Sequence, residues 1–149
     1  MIHYRNKVPR SGVDAVALKR TARAILDSIG EAEATLGVSV VDDNEIRELN
    51  RIHRGKDRPT DVLSFPLADV SDPVGGERLL GDVVISIETA RRQAADYGAP
   101  LEAEVNRLLV HGVLHVIGHD HQRADERRKM KAEERRIAKV IGMPWPYGR

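Results

Sequence analysis

The chain has 149 residues, no cysteine, and 24 Lys and Arg against 23 Asp and Glu, giving a formal charge of +1. A chain of this length buries roughly 68–70% of the surface its unfolded form exposes, so it folds without disulfides or a structural metal, and any metal site serves function. The absence of cysteine excludes Cys-type zinc ribbons, thiol nucleophiles and disulfide frameworks, fits a reducing compartment, and leaves His and carboxylates as candidate ligands.

Residues 1–9 are charged and lack the apolar core of a signal peptide, and no later stretch approaches the ~18 apolar residues of a membrane span. These features predict a cytoplasmic protein with no membrane partner. No repeat or linker divides residues 1–149, which read as one unit. Ser11 or Asp14 can cap a first helix that Gly30 closes, with Val13, Val16, Ala17, Ala24 and Ile25 near helical spacing. The β-branched run at 36–41 predicts a strand, and Asp42 or Asp43 opens a helix that stops at Gly55. At its end Arg51, Arg54, Lys56 and Arg58 form a basic cluster suited to an anionic partner. Residues 56–61 have turn composition, where Thr60, Asp61 and the nearby Ser64 are suited to local hydrogen bonds. Residues 62–66 read as a short strand that Pro66 marks as an edge or a terminus.

The segment 68–78 is a connection of uncertain form, and 79–86 is the best strand in the sequence. A helix follows at about 87–97, stopped by Gly98. Pro100 suits the first position of the next helix, which runs to about Ile117 before Gly118. A charged helix at about 124–140 ends at Gly142 and Pro144, and its basic residues form a second cationic patch. Three or four strands with five helices predict an α+β layer fold. One Phe, one Trp and three Tyr offer little material for a base-stacking platform, so RNA would have to be held mainly by charge and a metal.

The segment His111-Gly-Val-Leu-His115-Val-Ile-Gly118-His-Asp-His121 carries the chemistry. His111 and His115 lie four apart on one helical face, with Cβ atoms about 5–6 Å apart, close enough to share an ion. Val105, Leu108, Leu109, Gly112, Val113 and Val116 form an apolar stripe beside them. Gly118 permits a sharp turn after which His121 can supply a third ligand, leaving one tetrahedral position open. Three imidazoles also suit nickel, copper or iron. His119 points elsewhere if His121 ligates, and His3 and His53 have no partner pattern. Asp120 can orient an imidazole or cap the turn, and Asp82 can reach a ligand histidine or end a turn. The spacing is that of zinc proteases, but Gly112 stands where their general-base Glu stands, so that mechanism lacks its base.

This segment resembles the signature of the YbeY family of bacterial rRNA-maturation endoribonucleases. Two further blocks resemble the family in the same order: Leu49-Asn-Arg-Ile-His-Arg54-Gly-Lys56-Asp-Arg58-Pro-Thr-Asp-Val-Leu-Ser-Phe-Pro66 and Leu80-Gly-Asp82-Val-Val-Ile-Ser86. The resemblance implies a zincin-like α+β fold and a zinc ion on His111, His115 and His121. It also implies single-strand-specific, metal-dependent endoribonuclease activity in small-subunit rRNA 3′ end processing and ribosome quality control. The implied partners are single-stranded ribosomal RNA and the small ribosomal subunit with its factors, rather than DNA. The family's functional arginine maps to Arg54, whose guanidinium fork suits a phosphate oxygen. Lys56 and Arg58 can hold the RNA backbone or stand as solvated loop charges. The competing readings are a zincin-type peptidase or amidase and a non-catalytic ribosome assembly factor containing zinc.

Overall fold

A computed structural model describes residues 1–67 and 78–147. In chain order the elements are β1 (Ile2–Asn6), α1 (Ala15–Ser28), β2 (Ala34–Val41), α2 (Asp43–Arg54), β3 (Val62–Pro66), β4 (Arg78–Ser86), α3 (Ile87–Tyr97), α4 (Leu101–Val116) and α5 (Ala124–Ile141). The strands form one mixed sheet in the order β1-β2-β4-β3. β2 runs parallel to both β1 and β4, with Val38 opposite Tyr4 on one side and Val83 on the other. β3 is an antiparallel edge strand whose Ser64 faces Val83. This is the α+β arrangement that the residue pattern predicts, with four strands and five helices among the described residues. The predicted connection at 68–78 lies outside the described residues except for Arg78, which opens β4.

Strand alternation sorts the sheet into two faces. Leu36, Val38 and Val40 of β2 and Val83 and Ile85 of β4 join the main core with α1, α3, α4 and α5. The other face carries a smaller cluster, in which α2 sets Ile46 against Val41, Leu63 and Val84. α4 is the central helix. Leu108, Leu109, Val110, Val113 and Leu114 are all fully buried, as expected of a helix apolar around most of its circumference. His111 and His115 interrupt that surface and are half-buried.

The helix starts and stops follow local chemistry. Asp14, not Ser11, caps α1 by accepting from the backbone of Val16 and Ala17, while Ser11 takes hydrogen bonds from Asn6 and Val13. Asp42 caps α2 through the Glu45 amide at 2.8 Å. Pro100 sits one position earlier than predicted, as the N-cap of α4 with ψ 149°, because its extended backbone leads into the helix at Leu101. The pattern assigned no strand to residues 1–9, yet residues 2–6 form β1. Only Ile2 of that strand is fully buried, so local alternation is weak. Parallel pairing with β2 and a 2.8 Å bond from the Met1 ammonium to the Ala34 carbonyl hold it in place.

Candidate metal centre

α4 presents His111 and His115 on one face, and the turn after it returns His121 to them. Gly118, at φ +106°, adopts a conformation that side-chain-bearing residues rarely take. The His119 amide closes the helix end on the Leu114 carbonyl at 2.9 Å. Asp120 then accepts from the His121 amide at 2.7 Å. Asp120 therefore caps the turn, the second of its two sequence readings. The His121 ring lies 4.9 Å from that of His115 and 5.6 Å from that of His111.

One donor atom from each of the three rings lies within 4.8 Å of the others, and the Nε2 atoms of His111 and His115 stand 3.2 Å apart. Two imidazole nitrogens on a tetrahedral ion with bonds of ~2.0–2.1 Å stand about 3.3–3.4 Å apart, so the spacing fits a shared cation. Burial, reinforced by His111 and His121, pushes the His115 imidazole below its ordinary value of 6.5. That shift favours the neutral form in which a ring nitrogen offers a lone pair. The chemistry and the distances of this donor set match a metal ion.

A residue that the sequence pattern did not single out orients the first ligand. Glu134 of α5, 7% exposed, lies 2.8 Å from His111 Nδ1. With its Nδ1–H donated to that carboxylate, His111 turns the Nε2 lone pair toward the other two rings. A signal for Glu134 was present. It lies four residues after Met130 and three before Ile137, both buried, and so places an acid on the apolar stripe of a charged helix. Asp82 does not reach the histidines. It is exposed on the opposite face of the sheet, beside Gly37, where its Oδ1 occupies the space a Cβ on that glycine would need, and beside His3, Arg5 and Ser39. Its neighbour Val83 faces α4 instead, as strand alternation requires.

The cationic residues are positioned from α2. Gly55 ends this helix in the left-handed conformation, and the buried Asn50 side chain donates to the Arg58 carbonyl at 2.8 Å. Asp61 accepts from the Val62 amide at 2.8 Å and leads the chain into β3. As a result Arg54, Lys56 and Arg58 line the same 340 Å³ cavity as His111, His115 and His121, with Val62, Leu63 and Ser64 of β3 opposite. Nearby charges are committed elsewhere: Arg47 pairs with Asp57 at 2.8 Å, and Arg51 pairs with Glu48. His53 packs edge-on against Phe65, and His3 lies on the far face of the sheet.

Gly112 faces the sheet. A Cβ there would lie 2.6 Å from Val83 Cγ1 and 3.3 Å from Val62 Cγ2, while Ser64 Oγ donates to the Gly112 carbonyl at 2.9 Å. The carboxylate of a zinc protease has no room at this position. About two turns before His111, Glu104 centres a second polar cluster. Glu104 is fully buried and accepts from Arg107 Nε at 3.0 Å, Gln93 at 3.1 Å and the Tyr147 hydroxyl at 2.9 Å. Burial pushes the Tyr147 phenol well above its ordinary value, and the bond to Glu104 adds to that shift.

An α+β domain with an open set of three histidines beside a cationic wall defines a metal-dependent class of protein in which one coordination position is left for chemistry. The sequence profile of the family described as Endoribonuclease YbeY matches residues 3–142. The chain belongs to this family, whose members are RNA-cutting hydrolases. An Endoribonuclease YbeY from Aquifex aeolicus is 46% identical over 123 residues, covering 83% of this chain and 80% of that protein. One from Carboxydothermus hydrogenoformans is 42% identical over 145 residues, covering 96% and 99%. One from Myxococcus xanthus is 49% identical over 122 residues, and the match covers 82% of this chain and 42% of that longer protein. A solution structure of a Thermotoga maritima protein superposes with a TM-score of 0.64 at 26% identity, covering 95% of this chain and 90% of the other. No helix among the described residues is long and apolar enough to cross a membrane.

Proposed function

We propose that this chain is a zinc-dependent endoribonuclease that cuts single-stranded ribosomal RNA in the cytoplasm, at the maturing 3′ end of the small-subunit rRNA and in ribosome quality control. Residues 1–149 act as one unit in this reading, with the small ribosomal subunit and its factors as partners. The observation that carries it is the meeting of His111, His115 and His121 with Arg54, Lys56 and Arg58 in one cavity. When bound by the three histidines, zinc supplies Lewis-acid polarisation and lowers the pKa of water.

The chain's own residues do the rest. Glu134 holds the His111 ring in one tautomer and orientation. Arg54 presents paired donors to the phosphate under attack and neutralises charge that grows on its oxygens. Lys56 and Arg58 hold flanking phosphates and keep the strand in the cavity. The closed position at Gly112 disfavours a peptidase. A purely structural zinc is disfavoured because, among the described residues, the metal-competent cluster contains three histidines and no fourth ligand.

The test combines metal analysis with cleavage of a short single-stranded RNA by the wild type, His115→Ala and Arg54→Ala. The expected result is about one metal per chain in the wild type and in Arg54→Ala, and loss of metal in His115→Ala. Cleavage falls by about 10²–10³ in Arg54→Ala, the scale of removing one charge-stabilising donor, and is abolished in His115→Ala. A folded His115→Ala that cleaves like the wild type would overturn the reading.

A further inference from the structure

The C-terminal residues return to α4 and build a second cavity against the metal centre. It has a volume of 180 Å³ and is lined by Tyr97, Arg107, Lys131, Glu134, Arg135, Trp145 and Tyr147. Tyr97 and Tyr147 meet edge to face at 5.0 Å, and Trp145 meets Tyr147 at 5.2 Å. The Arg107 guanidinium lies 5.7 Å from the Tyr97 ring centroid and 5.1 Å from that of Tyr147. Anchoring the C-terminal segment explains Tyr147, whose hydroxyl is bound to Glu104. An edge contact with Tyr147 still leaves Tyr97 56% exposed, and anchoring does not explain the exposed cations Lys131 and Arg135 at the rim.

We infer that this cavity is a nucleobase subsite, in which one base of a single-stranded RNA stacks on Tyr97 and Trp145 while Lys131 and Arg135 hold the adjoining phosphates. The inference rests on the ribonuclease reading above and deepens it. Two features join the subsite to the metal centre. Glu134 lines the aromatic cavity and is hydrogen-bonded to His111. Arg107 lies four residues before His111 on α4, about one 5.4 Å turn away. A strand engaged at the histidines thus passes the aromatic rings within a short reach. Aromatic rings over a cationic floor suit a flat, electron-rich ring joined to a polyanion. The volume lies below the ~300–1,000 Å³ of pockets that enclose drug-sized ligands, which limits the occupant to about one ring system.

Trp145 is the only tryptophan in the chain, so its fluorescence reports occupancy directly. The experiment mixes metal-loaded protein with hexa-adenylate RNA, or with an abasic ribose-phosphate of the same length, and reads fluorescence before the first turnover and cleavage after it. Saturable quenching by the hexa-adenylate and not by the abasic strand is expected. Tyr97→Leu should weaken binding of the hexa-adenylate by about fivefold to a hundredfold, the scale of losing one stacked base, and leave the abasic strand unaffected. Tyr97 is 56% exposed, so Tyr97→Leu should lower the unfolding midpoint only slightly, through loss of its edge contact with Tyr147. Equal quenching by both strands would show that charge alone acts, and would overturn the subsite. Cleavage of hexa-adenylate without any fluorescence response, or with unchanged affinity in Tyr97→Leu, would overturn it and leave the nuclease reading intact. Failure of the wild type to bind or cleave RNA would overturn both.

Discussion

Two polar clusters lie about two turns apart on α4 and differ in how their hydrogen-bonding capacity is met. Around Glu104, a buried carboxylate is matched by donors from Arg107, Gln93 and Tyr147. Around His111, ring nitrogens converge at 3.2 Å and face one another rather than a donor. The first cluster is complete within the chain and holds α3, α4 and the C-terminal residues together. The second has surplus lone pairs whose natural partner is a cation from outside. Buried polar groups that are fully paired indicate architecture, whereas converging acceptors indicate a binding site.

The difference can be broken most forcefully at Glu104. Replacing it with Ala leaves the Arg107 charge and the Tyr147 hydroxyl without their shared partner, and a loss of about 3–5 kcal/mol in urea unfolding is expected. The matching change in the other cluster, His115→Ala, should cost less than about 1 kcal/mol in metal-free protein, since no donor is orphaned there. Added zinc should raise the melting temperature of the wild type and of Glu104→Ala, which keeps all three histidines, but not that of His115→Ala. Equal losses in the two metal-free variants would erase the distinction.

A smaller effect is expected at the link between the histidines and α5. Glu134→Gln keeps the shape but weakens the acceptor for His111 Nδ1–H, and metal affinity should fall by about 10–100-fold in a competitive chelator titration. Unfolding of the metal-free protein should change little.

The smallest effect comes from a third cluster, paired like that of Glu104 but closer to solvent. Burial works to raise the Asp43 pKa, yet hydrogen bonds from Ser86, Thr89 and Arg92 overcome it and hold the carboxyl below its ordinary 3.8. A depressed folded-state value means that this contribution to stability is present above pH 3.8 and is lost as pH falls through the lower folded value. Asp43→Asn should therefore flatten the acid limb of the stability profile by less than about 1 kcal/mol, because the site is partly hydrated.

Features that depend on neighbours in sequence were legible without the fold. The spacing of His111, His115 and His121, the turn at Gly118 and the stop at Gly55 are all local in origin, and the caps of α1 and α2 were each narrowed to two nearby candidates, of which the structure uses Asp14 and Asp42. Features that depend on distant chain were not. β1 is specified by its pairing with β2 more than by its own alternation. Asp82 looks like a candidate orienting group in sequence, but the side of the sheet it occupies follows from which face α4 covers. Glu134 lies 23 residues from His111 and joins it only when α5 packs on α4. The aromatic residues looked too few to form a platform, yet folding gathers Tyr97, Trp145 and Tyr147 at one place.

The contact between Gly112 and Val83 also bears on how such a scaffold can change over evolutionary time. A glutamate at position 112 would convert the motif to the protease pattern by one amino-acid substitution, but its Cβ collides with a valine already packed in the core. Crowding of this kind costs about 1–3 kcal/mol, and shrinking Val83 first would open a cavity with a penalty of its own. Either order passes through a less stable intermediate. The two residues are therefore epistatic, and a stability valley separates the two chemistries although their histidine spacing is the same.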